Sequence, residues 1–125
     1  MKAEFIDVIC LPVHDQERAK SFYSEALGFV VVRDTRGGPT HSRWIEVGPE
    51  GAKTTVALVD ARTRKSPGPV EGLVLKVSNL VEFRDRLGHH GLRPKEITEE
   101  TWGAHLTLTD PDGNEWILVE HEITS

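Results

Sequence analysis

Residues Ala104 to His121 read AHLTLTDPDGNEWILVEH. At the centre, Asp110-Pro111-Asp112-Gly113 is a turn: proline presets φ at the first central position, Asp112 tolerates the bridge region, and Gly113 takes positive φ without a Cβ clash. The pattern predicts a type I turn with a glycine bulge, closing a hairpin. Before the turn, Leu106-Thr107-Leu108-Thr109 alternates strictly, which points Leu106 and Leu108 at a core and puts His105, Thr107 and Thr109 on the other face. After it, Glu115 to Glu120 is apolar on both faces, with Trp116 and Leu118 on one and Ile117 and Val119 on the other. Such a strand is covered on both sides, by a helix on one of them.

Working back to the N-terminus, Phe5 to Val13 (FIDVICLPV) reads as a strand rich in β-branched and apolar residues. Asp15 then caps a helix, DQERAKSFYSEALG, whose Ala19, Phe22, Tyr23, Ala26 and Leu27 fall at helical spacing before Gly28 stops it. Strands follow at 29–34, 42–47 and 54–59, with a loop at Gly37-Gly38-Pro39. The same order then returns. A strand at 71–78 leads to Asn79, which stands 64 residues after Asp15. A helix over 80–89 turns Leu80, Phe83 and Leu87 inward and ends at Gly91. A strand at 92–97 and the hairpin complete the second set. The repeat predicts one α+β domain over 1–125, built from two tandem β-α-β-β-β modules, 1–60 and 70–125, that form a cupped mixed sheet. A polar, basic linker at 61–69 joins them.

A chain of 125 residues buries roughly 65% of its unfolded surface and needs no metal or disulfide as a staple. Cys10 is the one cysteine, and the N-terminus lacks the pattern of a secretory signal, so the expected compartment is the cytoplasm. Lys and Arg total 15 against 20 Asp and Glu, a net charge of −5. Neither sign gathers into a block, which argues against nucleic acid and anionic membrane as partners. No apolar run approaches the roughly 20 residues of a membrane helix.

Asp15, Arg18, Ala19, Phe22-Tyr23 and Leu27-Gly28-Phe29 in the first module, with Asp110-Pro111-Asp112-Gly113-Asn114 in the second, resemble the vicinal oxygen chelate superfamily. Its members include glyoxalase I, bleomycin-resistance proteins, fosfomycin-resistance enzymes and extradiol dioxygenases. The resemblance spans essentially the whole chain. It is specific for the fold and weak for the reaction, since one such scaffold serves several chemistries and plain binding. Metal-dependent members hold a divalent ion with His and Glu side chains from the first and last strands of each module. The resemblance puts those positions at Val8, Ala57, Gly72 and Ile117, with Thr55 the neighbour of Ala57 in register. Val8, Ala57, Gly72 and Ile117 offer no ligand atom, so no metal and no other cofactor is expected. A homodimer is a further implication of the resemblance.

Period-2 alternation assigns the inner face of the cup. Val8 and Cys10 come from the first strand, Thr55 and Ala57 from the fourth, Val74 and Lys76 from the fifth, His105 and Thr107 from the seventh, and Ile117, Val119 and His121 from the eighth. Trp44 and Trp102 are aromatic candidates, the latter beside Gly103 in a loop that can lid the cup. A lining that is mostly apolar with a few placed polar groups suits a small molecule. His105 is the candidate general base, with a strand-end structural role as the plainer account. His14 and the pair His89-His90 read as surface and helix-end residues. Three functions remain open. The first is a metal-free protein that binds a small apolar or aromatic molecule in a cup between the modules. The second is a superfamily enzyme, a lyase, isomerase or dioxygenase. It would use either relocated ligands such as His105, His121 and Glu46 or metal-free acid-base chemistry. The third is a structural or regulatory module whose cup is filled with side chains.

Overall fold

A computed structural model describes residues 1–36, 43–62 and 68–121. The loop expected at Gly37-Gly38-Pro39 and residues 63–67 of the linker lie outside the described residues. The chain divides into two compact units, Met1–Pro69 and Val70–Ser125.

The first unit runs β1 (Val8–Val13), α1 (Gln16–Ser21), a π-helical turn (Phe22–Ala26), β2 (Val30–Arg36), β3 (Arg43–Gly48) and β4 (Thr55–Asp60). The strands form one mixed sheet in the order β1-β4-β3-β2, with β1 parallel to β4 and the other pairs antiparallel. Asp15 caps α1 by accepting the Arg18 N–H at 3.0 Å, and Gly28 at φ +72° ends the helical segment. The helix is not uniform, as the spacing alone predicts, because it widens into a π turn after Ser21. That turn still buries Phe22, Tyr23 and Ala26.

Ion pairs show which face of the sheet α1 covers. Arg43 reaches Glu17 at 3.0 Å, and Lys20 reaches Asp34 at 2.8 Å. Arg43, Ile45 and Val47 therefore face the helix, with Leu11 and Leu58 in register beside them, and all four apolar members are fully buried. Trp44 and Glu46 point to the helix-free side.

The second unit repeats the plan with β5 (Leu73–Lys76), α2 (Leu80–His89), β6 (Thr98–Glu100), β7 (Gly103–Thr109) and β8 (Glu115–Glu120), ordered β5-β8-β7-β6. Asn79 caps α2 through the Glu82 N–H at 3.0 Å. The carboxylate of Glu120 accepts the Leu80 N–H at 2.7 Å, which sets the even-numbered residues of β8 on the helix side. Leu106, Leu108, Trp116 and Leu118 are buried there, as the alternation predicts.

The central turn forms as expected. Gly113 N–H donates to the Asp110 carbonyl at 3.0 Å, Asp110 N–H donates to the Asn114 carbonyl at 2.9 Å, and Gly113 has φ +86°. Asn114, fully buried, ties this turn to the start of the unit by accepting the Val70 N–H at 2.8 Å.

Four expectations need correction. The first strand begins at Val8, leaving Phe5 and Ile6 exposed before it, although Asp7 still accepts the Thr55 N–H at 3.1 Å. The fifth strand shrinks to Leu73–Lys76 because Gly72 turns the chain at φ +84°. The sixth strand is Thr98–Glu100, not 92–97: Pro94 has no N–H to give a ladder, and only Lys95 N–H reaches Thr107 O in that stretch. Phe83 is half-buried rather than core, because Leu80 and Leu87 take the positions that α2 buries.

Candidate functional site

The helix-free face of the first sheet carries Val8 and Cys10 on β1, Thr55 and Ala57 on β4, and Trp44 and Glu46 on β3. Register places Val8 beside Thr55, then Cys10, Ala57, Glu46 and Arg33 in one row across four strands. Glu46 is the polar centre of this face and is only 8% exposed. Its Oε1 accepts the Trp44 indole N–H at 2.6 Å, and its Oε2 accepts the Thr55 hydroxyl at 3.1 Å. Arg33 on the edge strand comes within 3.9 Å of the same carboxylate. Trp44 is therefore neither a plain core residue nor a bare platform. Thr55, Trp44 and Glu46 form one hydrogen-bonded group, with half-buried Cys10 and buried Ala57 alongside.

The helix-free face of the second sheet has two cross-strand rows. Val74, Ile117 and Thr107 lie in one, and Lys76, Val119, His105 and Thr98 lie in the next. Val74 and Lys76 are exposed at the edge strand, whereas Ile117, Thr107 and His105 are half-buried and Val119 is buried. The His105 Nε2 stands 3.3 Å from Glu100 Oε1, and the Trp102 indole lies stacked on the imidazole with centroids 5.8 Å apart and planes 12° apart.

Beside this group lies a recess of about 810 Å³, lined by Ser78, Glu100, Thr101, Trp102, Glu120 and His121 around the bare backbone of Gly103. The structure thus brings Trp102 together with both His105 and His121, while Gly72 sits outside the strands, ahead of β5. The sequence pattern missed Glu100, Ser78 and Thr101. With the sixth strand placed six residues early, Glu100 appears as loop, and its opposition to Gly103 is visible only from the strand that actually forms.

A chelated divalent ion does not fit these residues. Val8, Ala57, Gly72 and Ile117 present no donor atom, and among the described residues no three His, Cys, Asp or Glu side chains converge as a metal-binding group. Of the relocated set, Glu46 lies in the first unit and His105 and His121 in the second.

Paired β-α-β-β-β units of identical strand order, each with one helix-free sheet face, define a twin-module scaffold. The chain belongs to the Glyoxalase/Bleomycin resistance protein/Dioxygenase superfamily, whose family model matches residues 5–118. Among solved structures it is similar to TnmS3, described as an antibiotic binding protein from Streptomyces sp. CB03234. That match has 34% identity and a TM-score of 0.87, covering 98% of this chain and 99% of the other. A glyoxalase/bleomycin resistance protein from the same Streptomyces shares 36% identity at a TM-score of 0.80, covering 92% and 99% of the two chains. YetH of Bacillus subtilis (strain 168) is 28% identical over 117 residues, 92% of this chain and 97% of its own.

Proposed function

We propose that this protein binds a small apolar or aromatic molecule without a metal, on the helix-free faces of its sheets. The observation that carries the reading is the make-up of the second face. Ile117, Val119 and Val74 supply apolar surface, and His105, Thr107 and Lys76 interrupt it with a few polar groups, the usual composition of a small-molecule site. The likeness to an antibiotic-binding protein at 34% identity supports it. Apolar contact then drives affinity at about 25 cal/mol per Å² removed from water, and the polar groups orient the ligand. The proposal includes a homodimer in the cytoplasm. The exposed Val30, Val31 and Val32 on edge strand β2 are the kind of apolar edge a second subunit covers. No helix among the described residues is long and apolar enough to cross a membrane.

Differential scanning fluorimetry with bleomycin and with anilinonaphthalene sulfonate, in the presence of chelator, tests the binding reading. A dose-dependent rise in melting temperature is expected, and no shift with any aromatic ligand would refute it. Light scattering at micromolar concentration tests the dimer.

One contact favours a second reading, an enzyme using acid-base chemistry without a metal. Glu100 holds the His105 Nε2 at 3.3 Å, the arrangement in which a carboxylate orients an imidazole base. Loss of turnover in His105→Gln with ligand binding retained would identify catalysis.

A further inference from the structure

We propose that the recess beside Trp102 seats a hydroxyl-bearing saturated ring, the glycosyl portion of a small molecule, on the exposed indole. This rests on the small-molecule reading above and assigns one part of the ligand to one place.

Trp102 is 51% exposed although His105 stacks, offset, against its ring. Much of the indole is therefore left open, and Trp102 lines the recess of about 810 Å³. Gly103 follows it with no side chain to overhang the ring. A half-exposed indole bordering a recess offers a flat apolar surface on which a ring can rest.

The rest of the lining decides what fits. Glu100 offers a carboxylate with one oxygen turned to His105 and the other without a described partner. Ser78 and Thr101 bring hydroxyls and His121 an imidazole, while among the described residues no lysine or arginine lines the recess. A phosphate, sulfate or carboxylate would meet a carboxylate with no cation to offset it. A wholly aromatic ring would stack on Trp102 but would leave Glu100, Ser78 and Thr101 without donors after displacing their water. A bare ammonium would pair with Glu100 but offers no hydroxyls to exchange hydrogen bonds with Ser78, Thr101 and His121. A saturated ring with hydroxyls around its rim meets each demand. Its C–H face lies on the electron-rich indole face, and its O–H groups donate to Glu100 and exchange hydrogen bonds with Ser78, Thr101 and His121.

The test uses the full-length protein and proton–nitrogen correlation spectra, in which Trp44, Trp102 and Trp116 each give one indole peak. Trp102→Phe assigns its own peak. Methyl glucoside, tetramethylammonium and anilinonaphthalene sulfonate are titrated separately. The expected result is a saturable shift of the Trp102 peak with methyl glucoside at millimolar concentration. Trp102→Ala abolishes the binding, and Glu100→Gln weakens it several-fold, because a neutral amide accepts less strongly from hydroxyls. A Trp102 shift with tetramethylammonium and none with methyl glucoside would overturn the proposal in favour of a cation site. No methyl glucoside shift while anilinonaphthalene sulfonate still binds would refute the glycosyl subsite and leave the parent reading standing. Failure of both probes would remove the parent reading as well.

Discussion

Gly103 lies directly against the carbonyl oxygen of Glu120, so close that an added Cβ would collide with that backbone atom and crowd His121 as well. Its φ of +151° also lies where L residues rarely go. The β6–β7 hairpin therefore docks on the end of β8 only because this residue has no side chain. Gly103→Ala is expected to cost about 3 kcal/mol or more, since backbone cannot yield as a flexible side chain would. Urea denaturation measures it. Stability within about 0.5 kcal/mol of wild type would mean that the hairpin can lift away from β8 without loss.

Asn114 makes the second prediction. Its side chain is fully buried, donates to Asp110 Oδ2 at 2.9 Å and accepts from Val70 N–H at 2.8 Å. Its own N–H donates to Asp110 Oδ1 at 2.9 Å. Asn114→Ala removes the acceptor of the part-buried Val70 N–H and one donor to buried Asp110, at a cost of about 3 kcal/mol. Asn114→Asp keeps the shape but sets a second carboxylate against Asp110. Its deficit relative to wild type should shrink as pH falls and one of the two acids becomes a donor. Melting temperatures of the two variants at neutral and acid pH separate the effects.

The hairpin was legible because Asp-Pro-Asp-Gly constrains backbone torsions locally, and so were both caps, where Asp15 and Asn79 act through residues three positions on. The 80–89 helix was readable to its exact ends. What the sequence could not disclose depended on partners distant in the chain. Edge strand β6 is only three residues long and takes its position from pairing with His105, Ala104 and Gly103. Propensity favoured Leu92 to Ile97 instead, and Pro94 overrode it. Glu46 stood out in the sequence as a candidate relocated ligand, but not as a buried hydrogen-bonded carboxylate. Its burial follows from two donors, the Trp44 indole two residues before it and the Thr55 hydroxyl nine residues after it, on the next strand. The Trp102–His105 stack needs the short β6–β7 turn to fold the indole back over β7, which no local pattern encodes.

Acid should weaken the first unit through the cluster at Asp34. Hydrogen bonds from Arg43 and then Lys20 hold its carboxyl well below the usual carboxylate range, and Asp34 in turn raises the Arg43 guanidinium. A group depressed in the folded state stabilises fully above its unfolded pKa of about 3.9, and that stabilisation is lost as pH falls from there toward the depressed folded value. Asp34→Asn should therefore cost on the order of 1 kcal/mol near neutrality, since the pair is partly exposed and solvent screens it. The difference from wild type should narrow below about pH 4. Urea midpoints across that range test it, and a deficit independent of pH would assign the effect to packing.

Added divalent metal should leave the protein unchanged. Metal affinity arises from several anionic or imidazole ligands acting on one ion, and Val8, Ala57, Gly72 and Ile117 contribute none. The carboxylate of Glu46 is already engaged by Trp44 and Thr55, and His105 is held between Trp102 and Glu100. An ion recruiting either residue would have to break those contacts and would gain one or two ligands in return. Zn²⁺, Ni²⁺, Mn²⁺ or Fe²⁺ at stoichiometric excess is therefore expected to raise neither the melting temperature nor any glyoxalase or ring-cleaving activity, and chelator should not lower the melting temperature of the purified protein. A stoichiometric metal that survives dialysis, with a thermal shift abolished by His105→Ala or His121→Ala, would replace the binding reading with a metalloenzyme whose ligands have moved.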